Sequence, residues 1–362
     1  MPVLLMHQTI VPADAIGHDI REMYRILSEK LDTFVFGEYV DLQGIPVFTY
    51  AEAERMIREP GTLVIYHHSI HWPAGERLLE QAGGQIVFRY HNITPPGFFA
   101  ESRESWMKCA AGREQTYRYA ARYPSALWLS ASRFNLREAG LDGIVSYQVV
   151  PPFAAITDAA GLDFDEDLVH RLLDAPEFKL FFVSRFAPNK GHRLLVEVVR
   201  EYRARYGSDI RLYIAGKRDE ACPGYFASVM SSIAQYDLQD HIEFLGAVSN
   251  EELGAYFLGC DAYVCCSEHE GFCVPAVEAQ SLSLPVVARA KGAVPETLGP
   301  GQLLFHDHPG PYAEALHHLR TDSAFRRKIT AGGRRNVEER FTLPRVESLF
   351  LNALSGPLES AA

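Results

Sequence analysis

The fold is decided by the stretch Ser267-Glu268-His269-Glu270-Gly271-Phe272-Cys273-Val274-Pro275-Ala276-Val277-Glu278-Ala279. An apolar run at residues 262–266 precedes it and predicts a buried parallel strand, while Pro275 is typical of the first turn of a helix. A helix start presents unpaired N–H groups and the positive end of its dipole, which suits a ligand phosphate. Glu270 in the turn and Glu278 about one helical turn inside the helix would then flank that phosphate. The alternative is a strand, a turn and a helix that carry two solvated glutamates.

Short apolar runs alternate with helical patterns on both sides of this stretch. The predicted strands are residues 2–6, 33–36, 63–67, 86–90, 127–130, 145–150, 179–183, 211–215, 242–245, 262–266, 285–288 and 302–305. This alternation predicts β-α units around parallel sheets. Pro151-Pro152 divides the series, because proline cannot continue a central strand. We therefore predict an α/β protein with two doubly wound, Rossmann-like domains at 1–150 and 151–340 that face a central cleft, and a closing helix and tail at 341–362.

Two cations follow the strand predicted at 179–183. Arg185 lies at its end, and Lys190 comes five residues later, before a helix that starts near Gly191. Two cations and a helix start can neutralise a pyrophosphate without a metal ion. The alternative is a pair of exposed surface cations. Gly216 and Gly246 end the next two strands, where a glycine would let a flat ligand lie against the backbone.

Three residues of the predicted first domain are further candidates. His91 follows the strand at 86–90, where an imidazole can donate a hydrogen bond to a developing negative charge or to a sugar hydroxyl, and Thr94 could assist it. The alternative is a hydrogen-bonded loop histidine. Gly17 is predicted in a loop before a helix that runs from about Asp19, where backbone could approach a phosphate or a sugar.

Several classes of site are disfavoured. The chain has no G-x-G-x-x-G and no G-x-x-x-x-G-K-[ST], which counts against dinucleotide and P-loop enzymes. The histidines of the segment His67-His68-Ser69-Ile70-His71 have no carboxylate or cysteine nearby in the sequence, so we expect them to line the cleft rather than to bind zinc. The acidic run at 163–167 lies in an irregular segment and reads as a helix-start cluster. We expect neither a metal nor a cofactor.

Composition limits the possible partners. The net charge of −11 over 362 residues argues against nucleic-acid binding. Six cysteines without a C-x-x-C spacing predict reduced, mostly buried thiols. No window approaches the roughly 18 apolar residues of a transmembrane helix, so a cytoplasmic protein is expected. Aromatic and basic residues interleave at 98–123, and they could form an acceptor-binding or membrane-surface face, although an ordinary amphipathic helix is the favoured interpretation. The oligomeric state is left open.

The spacing of Glu270 and Glu278, with Gly271-Phe272 after the first glutamate and Pro275 between the two, resembles the signature of the retaining family-4 glycosyltransferases, which have the GT-B fold. Arg185 and Lys190 resemble the cation pair of that family, and His91 matches its histidine that contacts the donor sugar. The resemblance implies that Glu278 holds the ribose, that Glu270 holds the donor sugar, and that the glycine-ended strands hold the base. It also implies a C-terminal helix that crosses back to the first domain. The donor-binding turn and helix start would comprise Gly271, Phe272, Cys273 and Val274.

The implied reaction moves a hexose from a nucleotide diphosphate sugar to a hydroxyl of a glycan or lipid-linked acceptor, with retention of configuration. The resemblance slightly favours GDP-mannose over a UDP-hexose, and it suggests bacterial surface polysaccharide biosynthesis, such as that of lipopolysaccharide. Other GT-B-fold enzymes, such as a sugar phosphorylase or a nucleotide-sugar epimerase, are the first alternative. A non-catalytic nucleotide-sugar sensor is the second, and a Rossmann oxidoreductase is disfavoured by the absent glycine motif.

Overall fold

A computed structural model describes residues 1–11, 14–155 and 161–360 of the chain. These residues form two compact units. The first unit contains Met1–Pro96, Trp106–Ala155 and the chain from Phe341 onward. The second contains Gly97–Ser105 and the described residues 161–340.

The strands are short and regularly spaced along the chain. They are β1 (Pro2–Met6), β2 (Thr9–Ile10), β3 (Asp32–Phe36), β4 (Tyr39–Val40), β5 (Leu63–His68), β6 (Gln85–Tyr90), β7 (Leu127–Ser130), β8 (Ser146–Val149), β9 (Phe178–Val183), β10 (Ile210–Ala215), β11 (Ile242–Gly246), β12 (Ala262–Cys265), β13 (Val286–Arg289) and β14 (Leu303–Phe305).

Helices occupy most of the connections between these strands. They are α1 (Ala15–Ser28), α2 (Tyr50–Ile57), α3 (Pro73–Leu79), α4 (Arg103–Arg122), α5 (Arg133–Glu138), α6 (Glu166–Asp174), α7 (His192–Tyr206), α8 (Pro223–Gln235), α9 (Asn250–Gly259), α10 (Val274–Ser281), α11 (Val294–Leu298), α12 (Pro309–Thr321), α13 (Ser323–Arg340) and α14 (Leu343–Ser360). Among the residues described, no helix is both long and apolar enough to cross a membrane.

The first unit is built on a six-stranded parallel sheet in the order β3-β1-β5-β6-β7-β8. Every residue of β5 is buried, as expected for a parallel strand that is covered on both faces. The C-terminal helix α14 packs here, because Val346, Phe350 and Leu354 share a core with Val3 and Leu5 of β1. The predicted return of this helix to the first domain is therefore confirmed.

The second unit has a parallel sheet in the order β11-β10-β9-β12-β13-β14. The chain first adds β10 and β11 on one side of β9, and it then returns to add β12, β13 and β14 on the other side. β9 and β12 are thus neighbours whose connections leave in opposite directions. In open α/β sheets, ligands bind outside the carboxyl ends of the strands at such a point.

All twelve predicted strands are present, and no end differs from its prediction by more than one residue. The prediction for the start of α1 is wrong: the helix begins at Ala15 instead of near Asp19. The physical reason is Asp14, whose side chain accepts a hydrogen bond from Gly17 N at 2.7 Å and caps the helix four residues early. The acidic run behaves as predicted, because Asp165 caps α6 through Leu168 N at 2.8 Å.

Candidate functional site

The loops that follow β9 and β12 are tied together at the switch point of the second sheet. Asn189 O accepts hydrogen bonds from Glu268 N at 2.8 Å and from His269 N at 3.3 Å. Gly191 has φ +70°, and a Cβ on it would lie 1.9 Å from Cys266 O, so only glycine fits this approach. The close packing of the two loops sets Lys190 opposite Glu270.

Lys190 and Glu270 form an ion pair at this edge. The Nζ of Lys190 donates to Oε1 of Glu270 at 2.8 Å, and the two side chains are 18% and 13% exposed. Burial acts to lower the pKa of Lys190, but attraction to the Glu270 carboxylate and the hydrogen bond to it outweigh burial and raise that pKa. Lys190 therefore keeps its positive charge while it lies mostly out of water.

A third loop fixes the turn that carries Glu270. Ala293 N donates to Glu270 O at 3.0 Å, and the Thr297 hydroxyl donates to Phe272 O at 2.6 Å. Cys273 is the N-cap of α10 and has φ +80°, a left-handed backbone conformation that is energetically unfavourable for residues other than glycine. Hydrogen bonds thus hold the turn at both Glu270 and Phe272, and the left-handed N-cap Cys273 leads directly into α10.

The remaining residues of the predicted turn lie at different depths. Gly271 and Val274 are half-buried, whereas Phe272 and Cys273 are buried. Glu278 is on the buried side of α10, only 6% exposed. Gly271 in the turn and Val274 at the start of α10 therefore keep some access to solvent, and Glu278 lies deeper than a solvated surface glutamate would.

Arg185 is less constrained than Lys190. Its side chain is 65% exposed, and its ion pair is with Asp219, at 3.6 Å, rather than with Glu270. The sequence analysis did not identify Asp219 as a partner. The structure thus brings Lys190 and Glu270 into contact, whereas Arg185, just after the end of β9, is mostly exposed and does not join that pair.

Gly216 and Gly246 meet at the ends of β10 and β11, where Gly216 N donates to Gly246 O at 2.6 Å. A Cβ on Gly216, which has φ +129°, would lie 1.8 Å from Ser184 O. A Cβ on Gly246, which has φ +70°, would meet no atom within 4 Å. Gly216 is thus required by packing within the unit, whereas Gly246 faces open space.

His91 belongs to a buried polar network in the first unit. One of its ring nitrogens, Nε2, shares a hydrogen bond of 2.9 Å with Nδ1 of His67, and His91 N donates to His68 O at 3.0 Å. Burial, followed by the nearby Arg89 cation, holds the pKa of His91 well below its ordinary value. His91 is therefore a neutral imidazole whose orientation is set by His67.

Asp19 and Arg89 form the ion pair of this network. Arg89 Nε and Nη2 donate to the two Asp19 oxygens at 2.8 and 3.2 Å, and both side chains are fully buried. Phe153 N also donates to Asp19, at 3.1 Å, and Arg89 Nη1 donates to Val150 O at 2.5 Å. The pair thus ties the start of α1 to β6 and to the chain beyond β8.

The histidines at the end of β5 do not converge on one point. His67 contacts His91, while His68 Nε2 bonds the Thr116 hydroxyl at 2.8 Å. The sequence offers no carboxylate beside these histidines, but the fold brings one to them: ligand atoms of Asp19, His67 and His91 lie within 4.8 Å of one another. The chain brings Asp19 there from 48 residues upstream, and Arg89 already occupies both of its oxygens.

Two other predicted residues have local roles in the first unit. The amide of Gly17 is used by the Asp14 cap, and a Cβ on it would lie 1.8 Å from Val11 O, so the loop packs directly on the helix. Thr94 is half-buried in the segment that follows β6. The ligand contacts predicted for both residues stay predictions.

A family model described as "Glycosyl transferases group 1" matches residues 163–336, the segment that carries Arg185, Lys190, Glu270 and Glu278. This segment is a group 1 glycosyltransferase domain. D-inositol 3-phosphate glycosyltransferase of Kineococcus radiotolerans is 30% identical over 174 residues, which are 44% of this chain and 40% of that protein. The chain spans less than half the length of the first curated relatives that it matches, at 40%, 41% and 47%.

Solved structures extend the similarity to the whole chain. Anabaena HepE, in a crystal structure with UDP and glucose, has a TM-score of 0.78 at 17% identity. The superposition covers 98% of this chain and 100% of the HepE chain. Sucrose-phosphate synthase from Thermosynechococcus elongatus has a TM-score of 0.76 at 20% identity, with both chains fully covered. The predicted GT-B fold, with two Rossmann-like units, is confirmed. Retention of configuration stays a prediction.

Sequence reasoning missed the residues that hold the group 1 site in shape. They include Asn189, Gly191, Ala293 and Thr297, all in the second unit. In the first unit, sequence reasoning also missed the Asp19–Arg89 pair and the contact of His67 with His91. A signal was available for Gly191, which follows Lys190 directly at the predicted helix start. The others act through backbone contacts or over long sequence separations, which a single sequence does not reveal.

Proposed function

We propose that the protein transfers a hexose from a nucleotide diphosphate sugar to an acceptor hydroxyl. The observation that carries the proposal is the Lys190–Glu270 pair at the start of α10, at the switch point of a group 1 domain. A cation and a helix N-terminus at this edge suit a diphosphate, and a carboxylate beside them suits sugar hydroxyls.

The chemical demand is to stabilise the departing diphosphate while the anomeric carbon gains positive charge. Lys190 is partly desolvated, so its attraction to a phosphate is stronger than that of a fully solvated lysine. When donor binds, Lys190 can exchange Glu270 for phosphate oxygens, and this releases the carboxylate to accept hydrogen bonds from the sugar. Arg185 is exposed and adaptable, and it can close on the same phosphates. Glu278 is proposed to hold the ribose.

We propose that the configuration at the anomeric carbon is retained. Glu270 is engaged by Lys190, which suits a hydrogen-bonding role better than that of a covalent nucleophile. The acceptor would then attack from the face that the diphosphate leaves, and a phosphate oxygen would take the acceptor proton. Protein groups alone stabilise the leaving group in this scheme, so turnover requires no divalent ion.

The donor is proposed to be a GDP- or UDP-linked hexose. The sequence resemblance slightly favours GDP-mannose, and a mannosyltransferase of Mycolicibacterium hassiacum, 32% identical over 117 residues, supports a mannosyl donor. HepE was crystallised with UDP and with UDP-glucose, which supports uridine. Gly216 and Gly246 are proposed to lie near the base, with the open space at Gly246 admitting it.

The first unit is proposed to bind the acceptor, a glycan or a lipid-linked saccharide of a bacterial surface polysaccharide. His91 is proposed to serve the transferred sugar as a neutral hydrogen-bond donor, with Thr94 and Gly17 as further contacts. A cytoplasmic location, with peripheral contact to the inner face of the membrane as an option, fits a lipid-linked acceptor.

The test is turnover of the full chain with a panel of GDP- and UDP-hexoses and an acceptor panel. Proton NMR of the product reports the anomeric configuration. We expect acceptor-dependent transfer with retention, and no loss of rate on addition of a chelator. Phosphate-dependent cleavage of a glycoside would instead indicate a phosphorylase, and conversion without acceptor an epimerase. Donor binding without turnover on any acceptor would indicate a sensor and contradict the proposal.

A further inference from the structure

Three metal-ligating side chains converge within nine residues of the second unit. Cys265 ends β12, Glu270 lies in the turn that follows, and Cys273 is the N-cap of α10. One ligand atom from each lies within 4.8 Å of the other two. The two sulfur atoms are 3.8 Å apart, and both residues are free thiols.

The sulfur spacing fits one metal ion between the two thiols. In a tetrahedral zinc site with Zn–S bonds of about 2.3 Å, two sulfurs lie about 3.8 Å apart. A disulfide would instead require them at about 2.05 Å. We propose that Cys265, Cys273 and Glu270 form a binding site for a thiophilic divalent cation, Zn²⁺ or Cd²⁺.

The charges around the cluster favour a divalent ion. Two thiolates and the Glu270 carboxylate carry three negative charges, and Lys190, 2.8 Å from Glu270, supplies one positive charge. A divalent cation brings the sum to zero, which a buried site requires. On binding, each thiol gives up its proton, so one Zn²⁺ takes two thiolates and releases two protons.

One ligand of the cluster, Glu270, keeps access to solvent, and the cluster offers fewer ligands than a tetrahedral ion accepts. The Glu270 side chain is partly exposed, while Cys265 is fully buried. Three protein ligands leave the fourth tetrahedral position to water or to a phosphate oxygen. Cys273 also keeps its thiol at a backbone conformation, φ +80°, that a glycine would adopt without strain.

Occupancy of this site has a consequence that rests on the proposed function. A metal-bound Glu270 no longer pairs with Lys190 in the same way, and the ion lies at the start of α10 where the diphosphate is proposed to bind. Zinc bound here therefore inhibits transfer, although the reaction itself needs no metal. Chelation restores the uninhibited rate.

The binding test uses the full chain, reduced and stripped of metal, titrated with Cd²⁺. We expect thiolate-to-cadmium absorption in the ultraviolet that saturates at one ion per chain, and two protons released per ion. Zn²⁺ should displace Cd²⁺, with its affinity measured against a chromogenic chelator. Absence of the absorption band, or release of no protons, would overturn the proposal.

Two cysteine variants locate the site. Cys265→Ala should lose the band and bind Zn²⁺ at least about tenfold more weakly, because one of two thiolates is gone. The matched control is Cys266→Ala, which removes the equally buried thiol of the next residue and should keep the band. Cys265→Ser serves if the alanine variant does not fold. A band that survives in both Cys265 variants, or that is lost in Cys266→Ala, would place the metal elsewhere.

The inhibition test is separate from the binding test. Zn²⁺ should slow transfer by the parent protein and by Cys266→Ala, while Cys265→Ala, whose side chain has no role in the proposed reaction, stays active and insensitive. If no donor supports transfer, the proposed function fails, yet the absorption and proton measurements still decide the metal site. If Zn²⁺ binds and the rate of transfer does not change, the inhibitory role is refuted, while the binding site is not.

Discussion

Lys190–Glu270 in the second unit and Asp19–Arg89 in the first both lie near the carboxyl edge of a parallel sheet, and the two pairs differ in how completely they are enclosed. Asp19–Arg89 in the first unit is fully buried, and the pair makes two further hydrogen bonds: Asp19 accepts one from Phe153 N, and Arg89 donates one to Val150 O. Lys190–Glu270 in the second unit is partly open, and each side chain keeps access to solvent. An enclosed pair with its hydrogen bonds made holds structure together, whereas an open pair can exchange partners with a ligand.

The surroundings of the two pairs differ in the same sense. The first unit surrounds its pair with imidazoles that burial keeps neutral, among them His67 and His91. The second unit surrounds its pair with a helix start, two thiols and a glycine-bearing turn. The first arrangement resists a change of charge, and the second suits the arrival of an anion. The following predictions test this contrast.

The largest expected effect is on stability, from Asp19→Ala. Removing one partner of a fully buried pair leaves the Arg89 charge unpaired, which should lower the free energy of unfolding by about 3–5 kcal/mol. Urea unfolding followed by tryptophan fluorescence measures it, because Trp72, Trp106 and Trp128 all lie in the first unit. Glu347→Ala is the matched control, since it breaks an exposed ion pair with Arg25 and should cost under about 1 kcal/mol. Equal losses in the two variants would end the distinction between enclosed and open pairs.

Lys190→Ala should act on turnover. Loss of a preorganised cation at the leaving group should reduce kcat about 10²- to 10³-fold, equivalent to about 2.7–4 kcal/mol. Its effect on unfolding should be smaller than that of Asp19→Ala, because the pair is partly open. Lys217→Ala is the control: this lysine follows the neighbouring strand β10, is exposed, and should change kcat by no more than about twofold. Steady-state rates at saturating donor measure kcat. Equal values of kcat for Lys190→Ala and Lys217→Ala would contradict the role of Lys190 at the leaving group.

Acid should weaken the first unit more than the second. Burial is the largest cause that lowers the pKa of His7, His18, His67, His68 and His91 in the first unit, with His68 at about 3. In the described part of the second unit only His192 behaves in this way, also at about 3. The unfolded chain takes up these protons first, so stability is present above about pH 6.5 and falls below it, by up to about 1.4 kcal/mol per pH unit for each histidine.

Two probes separate the units in that experiment. Tryptophan fluorescence reports the first unit, and far-ultraviolet circular dichroism reports both. As the pH falls from about 7 to about 5.5, a window set by the ordinary histidine pKa, the fluorescence midpoint in urea should fall further than the dichroism midpoint. Equal shifts of the two midpoints would contradict the contrast.

The smallest expected effect concerns the glycines that end β10 and β11. Gly246→Ala places a side chain in open space at positive φ and should cost about 1–2 kcal/mol. Gly216→Ala adds a clash with Ser184 O to a similar backbone penalty, so it should cost more. Thermal unfolding measures both. If Gly246→Ala were the more damaging variant, packing would not be what selects glycine at position 216.

The twelve predicted strands could be found because each is a short, mainly apolar run, and central strands such as β5 and β12 are buried on both faces. The motif residues Lys190 and Glu270 were predictable as well, since each lies in the loop that follows such a run. The Asp219 partner of Arg185 was not, and neither was the joining of Asp19, Arg89 and His91. Those contacts arise only when distant strands become neighbours, and no local periodicity encodes which strands do so.

The start of α1 shows a different limit. Gly17 and Asp19 suggested a loop, because glycine lowers helix propensity and aspartate is a common cap. Asp14 provides a cap earlier, and the packing of Val11 against Gly17 holds the helix in place. The local cap at Asp14 and the close approach of Val11 O to Gly17 therefore outweigh the low helix propensity of glycine at this position.

The central claim is that the Lys190–Glu270 edge of the second unit binds the diphosphate of a nucleotide sugar. Isothermal titration calorimetry with GDP, UDP and the corresponding monophosphates tests it most directly, on the parent protein, Lys190→Ala and Lys217→Ala. We predict that one diphosphate binds more tightly than its monophosphate, and that Lys190→Ala alone weakens the diphosphate, by at least about tenfold, or about 1.4 kcal/mol. Unchanged diphosphate affinity in Lys190→Ala, or no binding of either diphosphate by the parent protein, would contradict it.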